Sequence, residues 1–299
     1  GMLEQAVQSI LRQSHRDFEF LILDDGGSDE GTRACLEKAA CTHSRVRLCS
    51  EPHRGLTATL NRGIALARGE LIARQDADDW SDPARLERQA AFLDAHPAAA
   101  LVGSAAWTHQ HDGSPLWPVR MPETNAAILD AFWRGNPFVH GSVMFRKQAA
   151  GQAGGYREEL PCSQDYDFFW RLAELAEAAN LPDPLYHYRY TAGSVSASRA
   201  AEQARAHRAA RRLALSRRAG VAESPAAALA EAGSDTVRNT FRAALKQADH
   251  LMLAGDYTRA AKAYRDLLRS HPLSGLAWAK LARLAVFCLA PPAREMCFR

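Results

Sequence analysis

The sequence predicts an α/β fold in which a mostly parallel sheet carries helices on both faces, followed by an α-helical C-terminal segment. Three observations predict it. From Leu3 to about Lys147 the apolar residues switch repeatedly between helical spacing and short continuous runs, the alternation that builds a parallel sheet covered by helices. Two of the runs end in acidic turns, Asp24-Asp25-Gly26-Gly27 and Asp76-Ala77-Asp78-Asp79. After Ser198 the composition changes to Ala and Arg and the strand patterns stop.

The elements follow in order. Leu3, Ala6, Val7, Ile10 and Leu11 recur at helical spacing, and the run from Phe18 to Leu23 reads as a buried strand entering the first acidic turn. A helix starts near Asp29, and Val46 to Leu48 is a brief strand. Gly55 to Arg68 reads as a helix with Leu56, Leu60, Ile64 and Leu66 inward and Gly69 as its C-cap. Glu70 to Ala73 is a strand entering the second acidic turn. A parallel sheet binds ligands outside the carboxyl ends of its strands, so both turns are expected on one edge. Pro83 to His96 is a helix capped by Asp82, and Ala99 to Ala105 a strand. Pro115 to Pro122, with three prolines, reads as irregular. A helix around Ile128 to Trp133, a strand from Gly141 to Arg146, a helix from Asp165 to Ala178 and an aromatic strand from Leu185 to Tyr190 complete the part before the boundary, placed between Thr191 and Ser198.

With 299 residues, 47% hydrophobic and 24% charged, the chain is long enough for a sizeable core, and disorder and fibre are excluded. A formal charge of +3 is too close to neutral for a dedicated nucleic-acid binder. No run of about 18 apolar residues offers a membrane span. The cysteines, Cys35, Cys41, Cys49, Cys162, Cys288 and Cys297, form no C-x-x-C pair and fit reduced thiols in a cytoplasmic protein.

Two features mark the C-terminal part. Seven arginines stand against the single Glu202 between Arg199 and Arg218. They fit either a solvated helix face or a surface for anionic lipid or a pyrophosphate-bearing acceptor, which would make the protein peripheral to the inner face of the membrane. From about Thr240 the chain resembles a tetratricopeptide repeat, with Ala248, Leu251, Gly255-Asp256-Tyr257, Ala260, Tyr264, Leu267 and Pro272 at that spacing and Trp278, Leu281 and Ala282 opening a second copy. Such units bury their apolar faces against neighbours, which leaves packing on the preceding domain or on another chain, as in a homodimer, open.

The Asp76-Ala77-Asp78-Asp79 turn is the strongest local signal for chemistry. Its carboxylates repel one another unless a cation or basic side chains neutralise them, and Mg²⁺ or Mn²⁺ favours one or two carboxylates with phosphate oxygens and water. Taken alone it is either such a metal site or a solvated turn leading into the next helix.

Four blocks resemble, in order and spacing, those of the family 2 glycosyltransferases: F-E-F-L-I-L-D-D-G-G-S-D, N-R-G-I-A-L-A-R-G-E-L-I-A-R-Q-D-A-D-D, H-G-S-V-M-F-R-K and S-Q-D-Y-D-F-F-W-R-L. The resemblance spans about Leu3 to Ser196, roughly two thirds of the chain. It implies a Rossmann-like nucleotide-diphospho-sugar transferase fold of the GT-A type over residues 2–198, with 199–299 as a helical tail. It also implies a metal-dependent, hexosyltransferase-like inverting transfer, from a nucleotide-diphosphate sugar, a UDP-sugar in the first place, to a polysaccharide or lipid-linked acceptor. By the same resemblance Asp25 pairs with the base, Arg54 and Asn61 join the nucleotide site, Asp76, Asp78 and Asp79 touch ribose and metal-bound diphosphate with Asp78 and Asp79 on the metal, and Asp165 is the general base. Chemistry agrees on the last point, because inversion needs a carboxylate that takes the acceptor proton opposite the departing diphosphate. His140, His187 and Arg189 are further candidates for the diphosphate, or else packed and paired side chains.

The chain departs from the pattern in three places. Family members begin with an apolar strand ending in a Pro-x-Tyr-Asn-like turn, whereas this chain starts in the following helix, so an N-terminally truncated member is expected. Gln164 stands where the family has Glu, and Gly27 where it has Ser. The rival readings are a degenerate, non-catalytic member acting as an interaction module and a nucleotidyltransferase; the latter lacks its Gly-rich phosphate loop here.

Overall fold

A computed structural model describes residues 1–194, 198–233 and 237–289. The elements are α1 (Met2–Leu11), β1 (Phe20–Asp24), α2 (Glu30–Thr42), β2 (Val46–Ser50), α3 (Leu56–Leu66), β3 (Leu71–Ala73), β4 (Trp80–Ser81), α4 (Arg85–Ala95), β5 (Ala99–His109), β6 (Pro115–Val119), α5 (Asn125–Ala131), β7 (Met144–Arg146), α6 (Lys147–Gln152), α7 (Gln164–Leu175), β8 (Glu177–Arg189), α8 (Ala200–Arg218), α9 (Pro225–Glu231), α10 (Val237–Leu253), α11 (Tyr257–Ser270) and α12 (Gly275–Leu289). A 3-10 turn, His140–Ser142, precedes β7. The chain divides into two compact units: one of residues 1–106, 119–160 and 164–188, the other of 107–118, 161–163 and 189–299.

The sheet is mixed, which corrects the expectation of a mostly parallel one. β1 and β2 pair in parallel as a separate two-stranded sheet, from Phe20 opposite Val46 to Asp24 opposite Ser50. The larger sheet has six strands in the order β3-β7-β5-β8-β4, with β6 on β5. Within it β3 is antiparallel to β7, β7 to β5 and β4 to β8. Residue patterning announces strands but not their direction: β7 returns from later in the chain and inserts between β3 and β5. The two acidic turns therefore leave strands of different sheets rather than one edge.

Several elements differ from expectation for identifiable reasons. β1 is half-buried throughout and α3 has no fully buried residue, with Leu56 45% exposed, because the sheet beside them is only two strands wide. α3 ends at Leu66 with Ala67 leaving in an extended conformation, so Gly69 is not its cap. α4 starts at Arg85, and Asp82 instead accepts the Ala84 N–H at 2.9 Å. The Pro-rich stretch forms β6, in which Pro115 and Pro118 occupy exposed positions of a strand lying off the main path, where a missing N–H costs no ladder bond.

In the first unit α1 buries Ala6, Val7, Ile10 and Leu11 as its spacing requires, with Val7 and Leu11 against Ala39 and Val46. A second cluster joins Leu86 and Leu93 of α4 to Ala99, Val102 and Met144 of the sheet. Phe168, Phe169 and Trp170 of α7 are completely buried in the core.

In the second unit the arginine run is not a bare face. Arg205 donates to the Leu229 carbonyl at 3.0 Å and Arg208 to the Ala232 carbonyl at 3.2 Å, both at the C-terminal end of α9, where a cation meets unpaired carbonyls and the negative end of the helix dipole. Arg212 pairs with Glu231 at 2.7 Å, Arg217 with Glu223 and Arg199 with Glu202. Arg205, Arg208, Arg212 and Arg217 staple α8 to the segment that follows it, whereas the Arg199 pair lies within the first turn of α8. Ala248, Leu251, Ala260, Tyr264 and Leu267 meet in one cluster of α10 and α11, joined by Leu284 of α12. Gly255 turns between α10 and α11 with φ +82, and Asp256 caps α11 through the Arg259 N–H at 3.1 Å. Leu281 packs against this cluster, whereas Trp278 is 55% exposed.

Cys35, Cys41, Cys49 and Cys162 are not joined in disulfides. The Cys288 side chain, Cys297 and residues 195–197, part of the expected boundary, lie outside what is described. Among the described residues no helix is long and apolar enough to cross a membrane.

His250 is 6% exposed, with Nε2 2.7 Å from Ser194 Oγ, and burial together with the nearby Lys246 pulls its pKa down to about 4. The unfolded chain binds this proton from about pH 6.5 downward, so folding stability falls as the pH drops from about 6.5 towards 4. Chemical denaturation at pH 7 and pH 4.5 is expected to show a loss on the order of 2 kcal/mol that His250→Gln removes.

Candidate functional site

The second acidic turn is assembled around two arginines. Arg74, just after β3, pairs with Asp76 Oδ1 at 2.5 Å. Burial disfavours the Arg74 charge, but the Asp76 carboxylate and the hydroxyls of Tyr156 and Tyr186 outweigh it and raise its pKa. Burial likewise favours neutral Asp76, and Arg74, His140 and Arg85 hold it below the ordinary carboxylate value. Arg85, at the start of α4, is completely buried, and burial brings it down to about 10, which leaves it charged at neutral pH. Its guanidinium donates to the carbonyls of Arg74 (2.7 Å) and Val143 (3.1 Å), to Ser81 Oγ (2.9 Å) and to Gln89 Oε1 (3.0 Å).

Tyr186 of β8 closes the turn from the other side. Its hydroxyl donates to Asp79 Oδ2 at 2.9 Å and accepts the Asp76 N–H at 3.2 Å. Burial, then the charges of Asp79 and Asp76, push this phenol far up, so it stays a donor. Asp79 is 2% exposed, and Asp78 is half-buried at the same turn. Gly141 lies against this group: a Cβ there would sit 1.9 Å from Tyr186 Oη and 2.7 Å from Asp76 Oδ2. No residue but glycine fits without moving a buried side chain.

The carboxylate expected as base stands at the start of α7. Asp165 is half-buried, and Asn136 Nδ2 donates to its Oδ2 at 2.8 Å. Helix N-termini favour negative charge there. His140, of the 3-10 turn, is half-buried and feels both acidic groups: burial lowers its pKa and Arg74 adds to this, while Asp165 and Asp76 pull it up. Its Nε2 lies 3.5 Å from the buried Tyr156 hydroxyl. His140, Asp76 and Asp165 are thus within electrostatic reach of one another.

Asp25 and Asn61 are engaged with backbone. Asp25, following β1, accepts the N–H groups of Arg54 (2.8 Å) and Gly55 (2.9 Å) and lies 2.9 Å from His53 Nδ1. Burial works to raise its pKa, and these donors with Thr59 and His53 bring it below the ordinary value. Asp25 and Arg54 are therefore together, through the backbone of the turn entering α3. Asn61 grips Tyr156 at both ends, donating to its carbonyl and accepting its N–H, each at 2.8 Å. Gly155 permits this with φ +68 and no Cβ, which would otherwise approach Asn61 Oδ1 to 2.7 Å. His187 stacks on Trp80 at 4.9 Å, and Arg189 donates to the His111 carbonyl, so both have structural partners.

Among the described residues no group of three or more His, Cys, Asp or Glu forms a ready metal cage. In the turn Asp76 pairs with Arg74, Asp79 accepts the Tyr186 hydroxyl, and Asp78 is half-buried beside them. A hard divalent ion that takes one or two carboxylates and fills its remaining positions with phosphate oxygens and water fits that donor set.

The sequence model of Glycosyl transferase family 2 matches residues 1–153, more than half of the chain. The chain belongs to glycosyltransferase family 2. This glycosyltransferase is similar to the putative glycosyltransferase EpsE of Bacillus subtilis (strain 168), 33% identical over 194 residues that cover 62% of this chain and 68% of that protein. It is also similar to the amylovoran biosynthesis glycosyltransferase AmsE of Erwinia amylovora, 32% identical over 188 residues, 62% of this chain and 70% of the relative. Among solved structures, S. aureus TarS 1-349 in complex with UDP-GlcNAc aligns over 94% of this chain and 85% of its own with a TM-score of 0.57 and 19% identity. The mannosyltransferase PcManGT from Pyrobaculum calidifontis, in complex with GDP-Man and Mn2+, aligns over 98% and 78% with a TM-score of 0.53 and 20% identity. These likenesses give the fold as GT-A-like, with a mixed central sheet and C-terminal helices.

Sequence reasoning missed Arg74, Arg85, Asn136, Tyr156 and the pairing of buried Asp167 with Arg157 (3.0 Å) and Arg171 (2.7 Å). The spacing of Asp167 and Arg171 at i and i+4 on a helix was a usable signal for one of them. Arg74 lay within a quoted block, but nothing in the text of the chain marks a basic residue as an internal counter-charge.

The Gly141 contacts give a direct test. Gly141→Ala is expected to lose about 1 to 3 kcal/mol of unfolding free energy in denaturant titration, as overpacked sites do. Gly151→Ala on the exposed side of α6, where a Cβ meets nothing within 4 Å, is expected to gain about 0.5 to 1 kcal/mol.

Proposed function

We propose that this glycosyltransferase moves a hexose-type sugar, with inversion, from a nucleoside-diphosphate donor, a UDP-sugar in the first place, to a hydroxyl of a polysaccharide or lipid-linked acceptor. One observation supports the reading: the half-buried Asp165 at the N-terminus of α7 and Asp76 of the acidic turn both lie within electrostatic reach of His140, as a base and a diphosphate site on either side of a donor sugar require. A relative named for amylovoran biosynthesis and a fold neighbour holding UDP-GlcNAc support the acceptor and donor classes.

In this reading residues 2–198 are the transferase, and 199–299 a helical region with a tetratricopeptide-like hairpin. The nucleotide lies at the end of β1, where Asp25 fixes the Arg54 turn, and beside Asn61 and Asp76. Asp78 and Asp79 hold Mn²⁺ or Mg²⁺, which when bound offsets the charge gathering on the leaving diphosphate. Tyr186 orients Asp79, and Arg74 keeps Asp76 ionised. Asp165 takes the proton of the acceptor hydroxyl as its oxygen bonds to the anomeric carbon and the bond from that carbon to the diphosphate oxygen breaks.

Calorimetric titration with UDP and GDP, with and without Mn²⁺, tests this. Metal-dependent nucleotide binding is expected, lost in Asp78→Asn. Asp165→Asn is expected to keep UDP affinity within about twofold while turnover falls about 10²- to 10⁴-fold. Absence of any metal-dependent nucleotide binding would overturn the catalytic reading in favour of a non-catalytic interaction module.

A further inference from the structure

We propose that Asn136 is a positioning residue that holds one oxygen of the Asp165 carboxylate and so selects the other as the proton acceptor. The inference rests on the reading of Asp165 as the general base. Asn136 Nδ2 donates to Asp165 Oδ2 at 2.8 Å, and Asn136 Oδ1 accepts the Phe138 N–H at 3.2 Å. These two bonds fix the sense of the amide, since exchanging its nitrogen and oxygen would set a carbonyl against a carboxylate and an NH₂ against an N–H.

The pair is held by elements fastened to each other. Asn180 donates to the carbonyls of Pro137 (3.1 Å) and Pro122 (2.8 Å), which pins the loop that carries Asn136. Phe138 is 3% exposed and packs on Phe132 and Phe169. From α7, the residue after Asp165 reaches back to the same loop: the Tyr166 hydroxyl donates to the Phe132 carbonyl. The donor to the base therefore belongs to a rigid wall and not to a mobile surface loop.

With Oδ2 engaged, the acceptor hydroxyl proton passes to Oδ1. The hydroxyl oxygen bonds to the anomeric carbon, and the electron pair of the broken glycosyl bond leaves on the nucleoside diphosphate. His140 from the 3-10 turn and Tyr156 from the loop before α7 feel the Asp165 charge, and both also feel Arg74 and Asp76. An amide at position 136 adds a hydrogen bond without adding charge to this set. An acid there would place a second carboxylate against the first and raise the pH at which the pair gives up its proton.

The test compares wild type, Asn136→Asp, Asn136→Ala and Asp165→Asn in the full chain. The first readout needs no substrate: the Asp165 carboxyl carbon is followed by ¹³C NMR through a pH titration. The second is the pH dependence of kcat for UDP or GDP release from UDP-GlcNAc or GDP-Man with Mn²⁺. Asn136→Asp is expected to move the Asp165 titration up by about one unit or more. It is also expected to shift the acid limb of the kcat profile in the same direction and lower kcat about 10- to 100-fold at neutral pH, with donor KM changed less than about twofold. Asn136→Ala is expected to lower kcat with a smaller shift. Asn136→Asp keeps an acceptor for the Phe138 N–H, so the comparison survives even if the alanine variant folds poorly. An Asp165 titration and acid limb unmoved in Asn136→Asp overturn the inference about Asn136 alone. An Asp165→Asn enzyme as active as wild type overturns the base reading itself.

Discussion

The Arg85 guanidinium is the interaction on which the site depends. It is buried under the acidic turn and donates to the Arg74 carbonyl before the turn, to Ser81 after it, and to the Val143 carbonyl beside Gly141. One cation thus ties both stems of the 76–79 segment to the start of β7 and offsets part of the charge it carries. Burying an ion costs several kcal/mol unless its hydrogen-bonding capacity is filled, and here carbonyls, a hydroxyl and an amide fill it. Arg74 then pairs with Asp76, and Tyr186 with Asp79, so charge and hydrogen bonds from within the fold hold the turn together.

The other half of the site follows a different logic. α7 supplies Asp165 and, two and six residues further on, Asp167 and Arg171, which close an ion pair in the core with Arg157. Arg171 also donates to the carbonyls of Ala153 and Gly155, next to Tyr156, which Asn61 grips from α3. Electrostatics set the acidic turn; hydrogen bonds to the main chain set the loop that faces it. His140, between the two, feels both.

What could be read from the sequence follows from what periodicity encodes. α1, α2, α7 and the strands before both acidic turns were legible because their apolar spacing or flanking cap residues are local properties. Strand direction was not, because the insertion of β7 between β3 and β5 is decided by contacts far apart in sequence. The prolines of β6 read as irregular since their exposure on an outlying strand is a tertiary fact. Within the site, carboxylates in a row were conspicuous, whereas the residues that balance them, Arg74, Arg85, Tyr186 and Asn136, sit singly in ordinary text. The arginine run showed the reverse problem: its charge was obvious, and its partners, carbonyls at the end of α9, carry no side-chain signature.

The grips on residues 153–156 have one more consequence. Asn61 and Arg171 hold carbonyls and an N–H, groups that every residue type brings with it. Side chains along that loop can be exchanged while the scaffold keeps hold of the same peptide atoms, provided the glycines with positive φ at 154 and 155 remain. Such an arrangement separates the shape of the loop from its chemical identity, so a lineage can rewrite what the loop presents without rebuilding the frame that carries it.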